Sequence, residues 1–525
     1  MTFNSLQFLI FLPIVILVYF LLPHKVRWVW LLIASYYAYM SWNVWLVFLI
    51  LGTTIVSYVA GLLIARTERK GIKKLWLALT LIVCLGTLIF FKYFNFLLGS
   101  VIDFLNLFAL DIESVALDII LPVGISFYTF QTLSYVIDVY RGMAPEKHFG
   151  YYALFVSYFP QLVAGPIERP ENLIPQLREK HSPNREDLEA GFRIMAVGFF
   201  RKCVVADFLG KFVDSVFSDM ASANSLAVIA AGALFAVQLY CDFAGYSEIA
   251  MGSARMMGIK LMRNFDRPYS ATSMRDFIRR WHISLNTWFR DYLYIPLGGS
   301  RKGKARQILN VFIVYALCGL WHGANWTYMC WGLFVAVIMT IEIFLRKRYH
   351  AMCDKLKIDN NGVIVVLIRR AIVFMLCIIG ALMFRAQSIA QIGEIFAKLF
   401  TDIGFGAAYL DSALGALSMN ISDLLRLALV LVCMLKLYDM AEFGQSSATA
   451  VPPAPAESAA GPAPSAAQPL PSSELISSPD AAAAGERSLY ARRAISLGCS
   501  VLAIALAWFI LISSSGTSAF VYFQF

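Results

Sequence analysis

Of 525 residues, 59% are hydrophobic and only 15% are charged, whereas a soluble domain carries roughly 25% charge; a soluble protein is excluded and a polytopic membrane protein is expected. The apolar runs are long and lack a two-residue alternation, which excludes a transmembrane β-barrel. The formal net charge of +10 arises from Lys and Arg grouped in short loops, the pattern of the positive-inside rule, so it does not call for nucleic acid.

At roughly 20 residues per crossing, the apolar runs divide into about eleven to thirteen transmembrane helices, with interfacial or re-entrant helices between them. Residues 1–23 bear no charged side chain, hence no basic n-region of a signal peptide, and Leu6–Leu22 reads as the first span. Lys25 and Arg27 put its far end in the cytoplasm and the N-terminus outside. Trp28–Met40 and Val44–Ala65 follow, closed by the basic loop 66–74, so two crossings separate two basic loops and the parity agrees. Leu75–Phe91 then crosses outward to a loop holding Asp103, Asp111, Glu113 and Asp118.

Pro122 and Gly124 in the next apolar run predict a kink or a close packing contact. Tyr151–Ala164 stops at Gly165-Pro166, and a polar surface segment runs to about Glu189. Phe192–Phe217 is interrupted by Arg201, Lys202 and Asp207 and reads as tilted or partly interfacial. Val228–Gly252 places Gln238, Asp242 and Glu248 within one apolar helix, where such groups are expensive. They line a wet interior or knit helices together; both readings stand at this point.

From Arg255 to Arg306 the chain carries twelve Lys and Arg against three Asp. Arg275–Tyr292 reads as one amphipathic helix, with Arg275, Arg279, Asn286 and Arg290 on one face and Phe277, Trp281, Leu285 and Trp288 on the other. His282 falls at the edge of the polar face. Such a helix lies in the interface or re-enters from the cytoplasmic side. Gly298–Ala305 nearly matches a P-loop but lacks the hydroxyl that holds Mg²⁺. The cluster Arg301, Lys302, Lys304 and Arg306 sets topology or attracts the phosphates of a donor such as coenzyme A.

His322 sits in Leu320-Trp321-His322-Gly323-Ala324-Asn325-Trp326, inside an apolar run from about 307 to 345. An imidazole at that depth is a functional hypothesis by default, set against a buried histidine hydrogen-bonded to a neighbouring helix. Gly319, Gly323 and Ala324 would let another backbone or a substrate approach, and Trp321, Trp326 and Trp331 would wall the site. No G-x-S-x-G elbow is present. Two histidines forty residues apart do not make a metal site, and the nine cysteines are scattered singly, without a C-x-x-C pair. What remains is a general base, since a neutral imidazole with pKa near ~6.5 takes a proton from a hydroxyl at neutral pH. Trp326–Leu345, Val363–Phe384 and Asp423–Tyr438 are further spans. The chain thus divides into a membrane domain over 1–444, with its core motifs at 121–345, and an Ala/Pro/Ser linker over 445–487 that is expected to be disordered. Residues 488–525 return to the same domain with a last span at Ala494–Ser513.

The run Arg279-Arg280-Trp281-His282-Ile283-Ser284-Leu285, continuing from Trp288 to Gly299, together with Gly319-Leu320-Trp321-His322-Gly323-Ala324, resembles the membrane-bound O-acyltransferases, in particular the bacterial alginate O-acetyltransferase group. Ile125–Gly142, Phe159–Pro166, Gln238–Gly252 and the ending Val521–Phe525 are similar to the same group, so the likeness covers nearly the whole chain. It departs at Ile278, Cys241 and Asn286, where the group usually carries tryptophan, an aromatic and serine. The resemblance implies that His322 is the catalytic histidine and His282 the second active-site histidine. It also implies a cytoplasmic donor funnel that meets an outward acceptor path near the bilayer middle.

On this reading the enzyme resides in the bacterial cytoplasmic membrane and moves an acyl group, acetyl from acetyl-CoA, towards hydroxyls of an extracytoplasmic polysaccharide. It needs no permanently bound cofactor and no metal. Asn325, Trp321, Arg279, Arg280, Asp242 and Gln238 are the candidates for binding donor or acceptor. The family implies a separate extracytoplasmic partner with a serine-hydrolase-like fold. The rival readings are D-alanyl transfer to teichoic acid from an acyl carrier protein, a transporter of an acylated lipid or glycan, and an inert assembly scaffold.

Overall fold

The computed structural model describes residues 1–113, 116–163 and 165–443. The expected linker at 445–487, the last span at Ala494–Ser513 and the ending Val521–Phe525 lie outside them. The described residues contain helices and no strand. In chain order the helices are α1 (Leu6–Leu21), α2 (His24–Met40), α3 (Leu46–Arg66), α4 (Lys70–Leu88), α5 (Phe94–Asn106), α6 (Ile125–Arg141) and α7 (Phe149–Ser157). Next come α8 (Phe159–Leu162), α9 (Pro170–Arg178), α10 (Arg185–Phe199), α11 (Asp207–Ser218), α12 (Ser225–Met256), α13 (Met274–Arg280) and α14 (Ile283–Phe289). The series ends with α15 (Lys304–His322), α16 (Trp326–Leu356), α17 (Val363–Arg385), α18 (Ile389–Thr401), α19 (Ala407–Ala416) and α20 (Ile421–Phe443). Three π turns interrupt it, at Ile89–Tyr93, Phe200–Ala206 and Arg290–Tyr294.

Among the described residues, five helical stretches are long and apolar enough to cross a membrane: α3, α4 with α5, α12, α16 and α17. A sixth counts if α19 and α20, bent by 75°, form one broken span. The apolar segments therefore do not map one to one onto long helices. α1 has 16 residues and α2 has 17, while the segment after α6 breaks into short pieces where proline intervenes. Phe192–Phe217 lies in a helix that runs without a gap from α10 through a π turn into α11. The π turn carries Arg201 and Lys202, and both side chains are buried in protein.

α12 is the central element, with 67% of its apolar window buried inside the protein. α10 crosses it at backbone contact: a Cβ added at Gly245 would lie 2.6 Å from the Gly198 carbonyl oxygen, and one at Gly252 2.5 Å from that of Gly191. Small residues let two helices approach in this way inside a membrane. The charges on the same helices pair with one another. Lys202 reaches Asp242 at 2.6 Å and Asp207 at 2.8 Å, and Arg201 pairs with Glu248. The carboxylates of α12 thus knit helices together, one of the two readings of that segment. At the start of α6, Gly124 is left-handed, with φ 74°, and presses against the Leu162 carbonyl, which accounts for the glycine after Pro122.

Candidate active site

His322 is the last residue of α15 and is 5% exposed. The helix ends there because the chain turns through Gly323 and Ala324 into α16, whose N-cap is Asn325. α15 and α16 touch at the backbone: a Cβ on Gly319 would meet the Tyr328 carbonyl oxygen at 2.2 Å, and one on Gly332 the Tyr315 oxygen at 2.1 Å. The close approach permitted by Gly319 is therefore filled by another helix. The imidazole is boxed edge-to-face by Trp321, Trp331 and Phe384, with ring centroids 5.1, 5.2 and 5.4 Å away. Behind it, Lys92 Nζ donates to the Trp321 carbonyl at 2.6 Å and the His322 carbonyl at 3.2 Å, and the Tyr93 hydroxyl donates to that of Leu320 at 2.7 Å.

The single amphipathic helix expected over Arg275–Tyr292 is two short helices. The break falls at His282, which adopts a left-handed conformation, φ 43° and ψ 55°. This reverses the course of the chain and carries the imidazole from the edge of a polar face to the interior, where it is 1% exposed. Neighbouring side chains hold the break. Asn286 Nδ2 donates to the carbonyls of Trp281 at 2.6 Å and Ile278 at 3.1 Å, near the end of α13. Asn264 receives the Ile283 amide on its backbone oxygen at 2.8 Å and the Ser284 hydroxyl on its side chain at 2.7 Å. A histidine with positive φ is uncommon, and strain of this kind gathers at functional sites.

The His282 and His322 rings lie 6.3 Å apart, centroid to centroid. Both nitrogens of His282 are buried and have no hydrogen-bond partner among the described residues. Buried polar atoms are nearly always satisfied, which makes the two nitrogens candidates for a substrate contact. Both rings line a cavity of about 80 Å³, together with Asn286 and apolar side chains from α12, α13, α15, α16 and α17. That is room for several water-sized groups between the two rings. Among the described residues, no cluster of His, Cys, Asp or Glu could hold a metal ion, and no two cysteines are joined.

The sequence profile of the membrane-bound O-acyltransferase family matches residues 147–384, which include both histidines. A protein described as a probable alginate O-acetylase, AlgI, from Pseudomonas aeruginosa is 38% identical over 404 residues, 76% of this chain and 75% of its own. The chain belongs to the membrane-bound O-acyltransferase family. A peptidoglycan O-acetyltransferase of Helicobacter pylori is 35% identical over 65% of this chain and 70% of its own. A teichoic acid D-alanyltransferase of Bacillus subtilis is 29% identical over 43% and 59%. The protein is thus a multi-pass membrane enzyme, an O-acyltransferase.

The other predicted residues of this acyltransferase fall in different places. Trp321 is buried and packs against both histidines, with its ring 5.7 Å from that of His282 and 5.1 Å from that of His322. Asn325 caps α16: its side chain accepts from the Thr327 amide at 3.0 Å and donates to the Gln387 carbonyl at 2.9 Å. Asp242 is occupied by Lys202, and Gln238 packs against Gly210; neither lines the cavity. Arg280 bonds Asp276 at 2.9 Å. Arg279 is exposed, on the short helix α13 whose Met274, Phe277 and Ile278 line the cavity. Lys92, Tyr93 and Asn264 escaped the sequence reading. The one available signal was an isolated lysine in the apolar stretch between Leu75 and Leu105.

Proposed function

We propose that this enzyme takes an acetyl group from acetyl-CoA on the cytoplasmic side of a bacterial cytoplasmic membrane and passes it towards hydroxyls of an extracytoplasmic polysaccharide. One observation carries the reading above the others: His322 and His282 line the same largely apolar cavity, with their rings 6.3 Å apart. His322 takes the proton of the attacking hydroxyl as its oxygen bonds to the thioester carbonyl carbon. The carbon–sulfur bond then breaks, and the thiolate leaves as the thiol with the proton returned from the imidazolium. His282, with two unpartnered nitrogens, orients the donor or the hydroxyl. The apolar lining of the cavity disfavours water beside the activated acyl group.

α13 supports the choice of donor. One of its faces lines the cavity, while Arg275 and Arg279 are exposed, so the phosphates of a nucleotide thioester would meet cations where its arm enters. Arg301, Lys302, Lys304 and Arg306 are exposed as well and raise the local concentration of an anionic donor. The basic loops support a cytoplasmic position for this face and for the segment after α1, with the N-terminus outside. The immediate acceptor is a hydroxyl of a separate extracytoplasmic protein with a serine-hydrolase-like fold, which delivers the acetyl group to the glycan. Names of relatives that act on alginate and on peptidoglycan support a polysaccharide as final acceptor.

Membrane vesicles of the native host, inverted or right-side-out, test donor and side together when given acetyl-CoA labelled in the acetyl group. Label should enter an ester in inverted vesicles and be absent from right-side-out ones. Incorporation only with D-alanine on a carrier protein would move the enzyme to teichoic acid chemistry. Equal labelling from both faces would overturn the cytoplasmic donor.

A further inference from the structure

Lys92 is a cation placed beside the base, and the transfer chemistry does not use it. The last four carbonyls of an α-helix have no intrahelical partner, and in α15 those belong to Gly319, Leu320, Trp321 and His322. The first receives only a long bond, 3.4 Å, from the Gly323 amide. The other three are all taken by two consecutive residues of another segment: Leu320 by the Tyr93 hydroxyl, Trp321 and His322 by the Lys92 ammonium. An ammonium has three donors, and the third faces Ser126 Oγ at 3.4 Å. Lys92 also stands 5.9 Å from the centre of the Trp321 ring. The π turn at Ile89–Tyr93 is where the chain delivers both side chains to the same neighbour, and single π turns recur at functional sites.

We propose that Lys92, assisted by Tyr93, is a positioning residue for catalysis: it clamps the carbonyl end of α15 and so fixes the imidazole of His322. This rests on the reading of His322 as general base. The clamp is needed because the base occupies a helix terminus, where the backbone frays. A cation is suited to it because the terminus carries partial negative charge. Any anchor along α15 would hold the helix in place. This one grips the carbonyl of the residue that carries the base.

The test uses the full-length protein in membranes of a host deleted for it, with acetyl-CoA as the varied donor, and compares Lys92→Met, Lys92→Arg, Tyr93→Phe and His322→Ala. A displacement of the base by about 1 Å costs about 100-fold in rate. Lys92→Met should therefore lower kcat by about 10- to 100-fold with KM within about twofold. Lys92→Arg keeps a cation with several donors and should recover much of the loss. Tyr93→Phe gives up one clamp and should lower kcat by a few-fold.

Ser57→Ala is the control. It removes a buried hydroxyl that Tyr152 bonds at 2.6 Å and lies away from the cavity. If Ser57→Ala, matched for thermal midpoint, lost as much kcat as Lys92→Met, the role of Lys92 would be structural and the proposal overturned. Wild-type kcat in folded Lys92→Met overturns it too. Should Lys92→Met fail to accumulate, Tyr93→Phe decides, and an unchanged kcat there refutes the clamp. Wild-type transfer by His322→Ala sinks the general base itself. An inactive His322→Ala beside fully active Lys92 and Tyr93 variants sinks the clamp alone.

Discussion

Replacing His282 by glycine should leave a more stable protein than replacing it by alanine, the reverse of the usual order. In an ordinary helix glycine is less favourable than alanine by ~0.5–1 kcal/mol. At φ 43° and ψ 55° the order inverts, because an L side chain in the left-handed region costs about 1–2 kcal/mol that glycine escapes. Both variants lose the same imidazole from between Phe243, 4.6 Å away, and Trp321, so the cavity penalty cancels in the comparison. The strain that glycine escapes is set against the freedom it adds to the unfolded chain and the one buried methyl it gives up, and glycine should win by up to about 1 kcal/mol. Titration of the purified protein from native to denaturing detergent measures this difference directly. Alanine as stable as glycine, or more so, would refute the strained break between α13 and α14. Both variants should be impaired in transfer, because either one removes the ring.

Arg279→Ala should raise KM for acetyl-CoA several-fold while leaving kcat near wild type, with the difference shrinking at high salt; kinetics at two ionic strengths check this. Burial pushes the Glu168 carboxyl up to about 7 against hydrogen bonds from Asn172 and the Met262 amide. A carboxyl raised in the folded state binds more protons there than in the unfolded chain. Its contribution is therefore complete below about pH 4.5 and is lost as pH rises through about 7. The loss amounts to about 3 kcal/mol in order of magnitude. Glu168→Gln should flatten that fall in stability between pH 5 and 8, as read by unfolding midpoints across the range. Gly319→Val puts side-chain atoms where the Tyr328 carbonyl lies and should cost about 3 kcal/mol or more, seen as loss of the monodisperse peak in size-exclusion chromatography.

The helical membrane class follows from composition, because long apolar runs leave no other way to satisfy the backbone. The burial of His322 was legible for a similar reason: it lies deep in an apolar run, flanked by glycines. The placement of His282 was not legible. Periodicity extends a helix until a proline or glycine interrupts it, and a left-handed histidine carries no such mark. The break is written instead in Asn264, Ser284 and Asn286, whose partners lie in separate segments. The pairing of Lys202 with Asp242 was hidden in the same way, since sequence shows a charge in an apolar helix and not what it faces. A lone lysine near the end of a span usually snorkels towards the interface, so the sequence does not mark the inward course of Lys92 to its three acceptors.

The most direct test of the account is mass spectrometry of ester-linked acyl groups on the envelope polysaccharides of the native host. Wild type is compared with a deletion strain, and with that strain complemented by His322→Ala at equal protein level. If His322 is the base, acetyl esters present in wild type are absent from both other strains. Full acetylation with His322→Ala would contradict the account at its centre.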